Sequence, residues 1–192
     1  MTRIAPIKVE TFTDEQKTVY QSIMNGPRGK FGGPFLALIH SPEITDRVQS
    51  LGESIRFNSI LPANLREIAI MCVARYWRNE VEWNAHVGIA IKEGVSVETI
   101  KSILFERYSE TACAQTDLVI SICTQLQKNH TIENETYRES VKVLGVERVV
   151  ELISIIGYFT LLSMVLNSFE IDPNPKDGCP PKDLLMSACD KH

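Results

Sequence analysis

Glu82 and His86 stand four residues apart in Glu80-Val81-Glu82-Trp83-Asn84-Ala85-His86, and Glu67 precedes them in Leu65-Arg66-Glu67-Ile68. Residues i and i+4 are neighbours on one helical face, so a carboxylate and an imidazole at that spacing meet each other or converge on one small ligand. A histidine titrates near neutrality and trades protons readily there. The chemistry expected of this stretch is acid–base chemistry.

Two consecutive helices are needed to position these groups. Pro62 marks a start, after which Leu65, Ile68, Ala69, Cys72, Val73 and Tyr76 trace an apolar stripe, while Arg66, Glu67 and Arg75 fall elsewhere on the wheel. Asn79 is a junction, and the second helix runs to Gly94, a favourable C-terminal cap. Before this pair, the capping-box pattern Thr13-Asp14-Glu15-Gln16 opens a helix to about Met24. Phe35 to His40 forms a short helix stopped before Pro42, and Ile44, Val48, Leu51 and Ile55 carry another to about Phe57. After the pair, Ser96-Val97-Glu98-Thr99 begins a further helix, followed by Thr116 to Gln127, Glu135 to Leu144 and Val146 to Phe169. No stretch alternates as strands do between hairpin turns, so the expected fold is all-α.

Residues 1–170 read as a single helical domain. From Ile171 onward Pro173, Pro175, Pro180 and Pro181 prevent a regular helix, leaving a 171–192 tail that wraps the surface or a neighbour, with Leu184, Leu185 and Met186 available to dock. The helix over 146–169 is apolar nearly all round, which calls for cover by other subunits, and a homo-oligomer is expected. Gly26 to Gly33 lacks the G-x-x-x-x-G-K-[ST] pattern and follows no strand, so it is read as a surface turn and not as a phosphate loop.

A net charge of -4 without a basic patch argues against a general nucleic-acid or anionic-membrane surface. The start of the chain has no apolar signal core, and the longest apolar run, 152–166, carries Ser154, Thr160 and Ser163 and falls short of the roughly 20 residues of a membrane-spanning helix. A buried helix and a cytoplasmic location are the expectation. Five cysteines, odd in number and without a C-x-x-C pair, fit reduced thiols better than a disulfide framework or a cysteine metal site. Cys72, Cys113 and Cys123 read as small buried hydrophobes. His40 and His130 lack ligand-spaced companions, and no metal is expected.

Leu65-Arg66-Glu67-Ile68-Ala69-Ile70, Val73-Ala74-Arg75 and Glu80-Val81-Glu82-Trp83-Asn84-Ala85-His86 together resemble the carboxymuconolactone decarboxylase family, a resemblance that extends from about Ser41 to Glu170. The alkylhydroperoxidase-D-like branch of that superfamily uses a glutamate, a C-x-x-C pair and a histidine. Its pattern places the glutamate at Glu67 and the histidine at His86, but its cysteines fall on Asn79 and Glu82. Disulfide exchange requires a thiolate, which neither an amide nor a carboxylate supplies, so a peroxidase working through that pair is excluded. Glu82 resembles the decarboxylase side, where an E-W-x-x-H segment occurs.

The resemblance implies loss of carbon dioxide from a small carboxylated lactone or related acid, without metal or cofactor. In that reading His86 is the general acid, Glu82 orients the imidazole or relays its proton, and Glu67 supports them. Arg75 is the expected fork for the substrate carboxylate, and Trp83, Asn79 and Tyr158 complete the substrate-binding set, although the register of Trp83 suits ordinary core equally well. Two rivals stand beside this reading. One is an alkylhydroperoxidase-like antioxidant protein using another thiol, Cys72 being nearest; the other is a non-catalytic oligomeric binding protein.

Overall fold

The computed structural model describes residues 2–108, 113–172 and 182–184, and within them the backbone forms nine α-helices and two short 3₁₀ turns, with no strand. The helices are α1 (Asp14–Asn25), α2 (Phe35–Leu38), α3 (Pro42–Phe57), α4 (Ala63–Tyr76), α5 (Glu80–Lys92), α6 (Val97–Leu104), α7 (Ala114–Asn129), α8 (Asn134–Leu144) and α9 (Val146–Ser168). Local signals account for most boundaries. The Thr13 hydroxyl accepts from Gln16 N at 3.2 Å while Gln16 Oε1 accepts from Thr13 N at 3.0 Å, completing the capping box of α1. Asn79 and Ser96 cap α5 and α6 in the same way, accepting from Glu82 N and Thr99 N. Gly145, at φ +85°, ends α8 and starts α9 in a conformation L-residues avoid.

α4 is the axle of the fold and packs against α5, α6, α7 and α9. Every residue from Ile68 to Ala74 is at most 4% exposed. A helix surrounded on all sides needs apolar residues on its whole circumference, which is why its sequence exceeds a one-sided stripe. The stripe expected on α4 is wrong at its end: Tyr76 is 42% exposed, and its hydroxyl reaches out to donate to Gln127 O at 2.9 Å.

α9 has two apolar faces with different fates. Leu152, Ile155, Ile156, Phe159 and Leu162 are buried in the main core, whereas Val146, Val150, Ile153, Leu161 and Met164 are exposed along the other side. By length and composition alone α9 could cross a membrane, but half of its apolar window is covered by the protein itself. Glu151 on this helix accepts from Ile60 N and Leu61 N and so ties the α3–α4 connection to it.

Of the expected tail only 171–172 and 182–184 are described; Cys179, Leu185, Met186 and Cys189 lie outside the described residues. Leu184 does dock, being 1% exposed within the main core. Cys72 and Cys123 are buried as expected, but Cys113, just before α7, is exposed.

Candidate active site

α4 and α5 are joined by Trp77 to Asn79, and side-chain amides lock this joint to the end of α9. Asn79 Nδ2 donates to Asn167 Oδ1 at 3.0 Å, and Asn167 Nδ2 donates to Trp77 O at 2.8 Å. The lock fixes the register of α5 so that Glu82 and His86 turn inward. His86 Nδ1 lies 2.7 Å from Glu67 Oε2, across from α5 to α4, and His86 Nε2 lies 3.6 Å from Glu82 Oε2. All three are buried. A carboxylate can only accept, so the pairing with Glu67 places a ring proton on Nδ1 and leaves Nε2 directed at Glu82. The Phe159 ring packs edge-on against the imidazole at 5.2 Å and restricts its rotation.

His86 and Glu82 line a cavity of about 230 Å³, closed on other sides by Phe31, Gly32, Gly33 and Phe35 from the segment before α3, by Arg56 from α3 and by Tyr158 and Phe159 from α9. Burial holds the Glu82 carboxyl above its ordinary range, against the opposing pull of His86, Arg56 and Arg28, while the Glu67 charge pushes the same way as burial. Glu82 thereby holds its proton to a higher pH than a solvated glutamate does.

The cavity gathers three of the residues expected from sequence, His86, Glu82 and Tyr158, with Glu67 directly behind the imidazole. Arg75, expected at the substrate carboxylate, points elsewhere: its Nε donates to Leu104 O at 2.7 Å and its Nη2 lies 3.9 Å from Glu106. Trp83 is wholly buried core, its indole N–H donating to Leu184 O at 2.7 Å. Asn79 caps α5 and does not line the cavity. The Gly26 to Gly33 segment is not merely a surface turn, because Arg28, Lys30, Phe31, Gly32 and Gly33 form part of the cavity wall.

Arg28 and Arg56 are the residues that sequence reasoning missed. Arg28 sits among turn-forming glycines and proline, where no periodicity points a side chain anywhere. A faint signal existed on α3, where Gly52 and Arg56 are four apart and share a helical face.

Residues 42–116 match the model of the Carboxymuconolactone decarboxylase family. The crystal structure of an alkylhydroperoxidase AhpD core, an uncharacterized peroxidase-related protein from Ralstonia eutropha JMP134, superposes with a TM-score of 0.74 at 15% identity, covering 92% of this chain and 94% of that one. No curated protein matches the chain. The structural likeness is one of fold alone at this identity, while the matched segment contains Glu67, Glu82 and His86. The 42–116 segment is thus similar to the Carboxymuconolactone decarboxylase family, and the helical fold to that of the alkylhydroperoxidase AhpD core.

Proposed function

We propose that this protein is a carboxy-lyase acting by acid–base chemistry on a small carboxylated lactone or related acid. The observation that carries the reading is the buried Glu67–His86 contact at 2.7 Å with Nε2 turned to Glu82 and the cavity. In the reaction the bond to the departing carboxylate breaks, its electron pair moves through the conjugated system onto the carbonyl oxygen, and carbon dioxide leaves. The resulting anion takes a proton from His86 Nε2. Glu67, accepting from Nδ1, stabilises the imidazolium before transfer, and neutral Glu82 is placed to return a proton to Nε2 afterwards.

The experiment is carbon dioxide release from a panel of carboxylated lactones and 3-oxo acids by the parent, His86→Ala and Glu82→Gln. Variants that match the parent would remove both residues from the mechanism, and a parent inert on every acid would favour a binding protein. The thiol-peroxidase alternative has less support. Neither Cys72 nor Cys123 lines the cavity, and contact with Cys72, together with burial, pushes the Cys123 thiol far from the reactive thiolate form.

The exposed apolar face of α9 supports assembly with further copies of the chain. Val146, Val150, Ile153, Gly157, Leu161 and Met164 recur at four- and three-residue steps along nearly its whole length, the pattern of a helix seam. Val150→Lys with Met164→Lys is expected to lower the mass measured by light scattering, and an unchanged mass removes this face from the interface. The free thiols of Cys72 and Cys123 are in keeping with a cytoplasmic enzyme.

A further inference from the structure

Arg28, Arg56 and Tyr158 reach the cavity from three separate elements, the connection before α2, α3 and α9. Tyr158 and Arg28 meet over Gly52, one turn before Arg56. A Cβ at Gly52 would overlap the Tyr158 hydroxyl and crowd Arg28 Nη2, so a larger residue there must displace these side chains. Although they are neighbours, neither is satisfied. The Tyr158 hydroxyl is buried without a hydrogen bond of good geometry, as are Arg28 Nε and Nη2, although Arg28 lies near enough to pull against the burial that raises that hydroxyl. The Arg28 guanidinium is stacked over the Phe35 ring at 4.7 Å, which fixes its plane but gives it no acceptor.

Arg56 adds a second guanidinium, which lies over the Phe57 ring at 5.4 Å and feels the charge of Arg28. Burial and then the charge of Arg28 both press Arg56 toward losing its proton. Glu67 and Glu82 pull the other way without offsetting this, and Glu67 is already bonded to His86. Like charges and idle donors gathered in a cavity are costly to the fold unless an anion completes them.

We propose that Arg28, Arg56 and Tyr158 form a preassembled clamp for a ligand carboxylate, with Gly52 the position that keeps it open. The fork of a guanidinium matches a carboxylate, and a neutral phenol adds a third donor. Burial raises the Tyr158 hydroxyl above its ordinary range and so keeps that donor in place. Binding itself stands apart from the lyase reading; the next step rests on it. A guanidinium stabilises the ionised ground state, and loss of carbon dioxide destroys that charge, so a clamp on the departing group would raise the barrier. The clamped carboxylate is therefore one that the reaction leaves in place, and the substrate is a small acid anchored at one end and reacting at the other. Gly52 and Arg56 lie inside the matched 42–116 segment, whereas Arg28 and Tyr158 lie outside it. Ligand preference is thus set jointly by the family segment and by residues particular to the rest of this chain.

The test is titration calorimetry of the full chain with succinate and, as its neutral counterpart, succinamide. Succinate is expected to bind and succinamide not. Arg28→Gln and Arg56→Gln should each weaken succinate by about tenfold or more, because each removes a charged donor from a desolvated contact. Tyr158→Phe should weaken it by roughly three- to tenfold, the loss of one neutral donor. Arg47→Gln, exposed on the same helix, should leave binding unchanged. Gly52→Ala should abolish it, and if that variant does not fold, Tyr158→Phe and Arg28→Gln decide the matter. A parent that does not bind succinate, or binding indifferent to Arg28 and Arg56, overturns the clamp. Carbon dioxide release that needs His86 but not Arg28 would also remove the clamp while leaving the lyase reading intact. Succinate binding that needs both arginines, without carbon dioxide release from any acid tested, would support the clamp and remove the lyase reading.

Discussion

Near its N-terminal end α4 carries Glu67, which reaches across to His86 on α5; toward its C-terminal end it carries Cys72 and Arg75, which meet Cys123 on α7 and the last carbonyl of α6. Both ends bury chemically capable side chains, and both satisfy them with partners on neighbouring helices. They differ in what lies beyond those partners. Behind Glu67 the imidazole and a second carboxyl face a cavity, which the thiol pair and Arg75 do not line. Burial and pairing are thus common to structure and chemistry, and access by a small molecule is what separates them.

The contrast is sharpest in turnover. His86→Ala is expected to lower carbon dioxide release by about 10²–10⁴-fold, the usual contribution of a positioned proton donor. Cys72→Ala should leave the rate untouched, and a rate that follows Cys72 instead would reverse the assignment of the two ends. Glu67→Gln should cost roughly 10–100-fold, because an amide still holds Nδ1 but no longer steadies a charged ring. If its rate equals the parent's, Glu67 is only a packing partner.

A subtler distinction appears in the pH dependence of stability. Burial raises the Glu82 carboxyl above its ordinary value of 4.5. The native state therefore keeps a proton that the unfolded chain releases, so this contribution to stability is full below that ordinary value and is lost as pH climbs through the raised one. Glu82→Gln, which cannot ionise, should flatten the decline in urea melts across that window. A parent whose stability rises there would contradict a buried, proton-retaining Glu82. At the closed end the smallest effect is expected: Arg75→Gln should cost about 1.5–3 kcal/mol of stability through its lost bond to Leu104 O, with succinate binding and turnover unchanged.

Much of this contrast could be read in the sequence, but unevenly. Capping is a local matter, so Thr13 with Gln16, Asn79 and Ser96 marked their helix starts from a few residues of context. The spacing of Glu82 and His86 is equally local, and the family resemblance supplied Glu67 across the interhelical gap. Arg75 fails for the complementary reason: a helical wheel gives its angle around α4 but not which neighbour fills that angle, and the neighbour is the end of α6. Arg28 and Tyr158 are 130 positions apart by their numbering and meet only because Gly52 leaves room between them. No pairwise pattern in a single sequence encodes such a three-body encounter.

The bond from the Trp83 indole to Leu184 O gives α5 a rear support drawn from near the end of the chain. Trp83 lies between Glu82 and His86 on that helix, so slack in this support would pass directly to the imidazole. Loosening the 182–184 segment therefore becomes a way of disturbing the imidazole from a distance, without touching any side chain that lines the cavity.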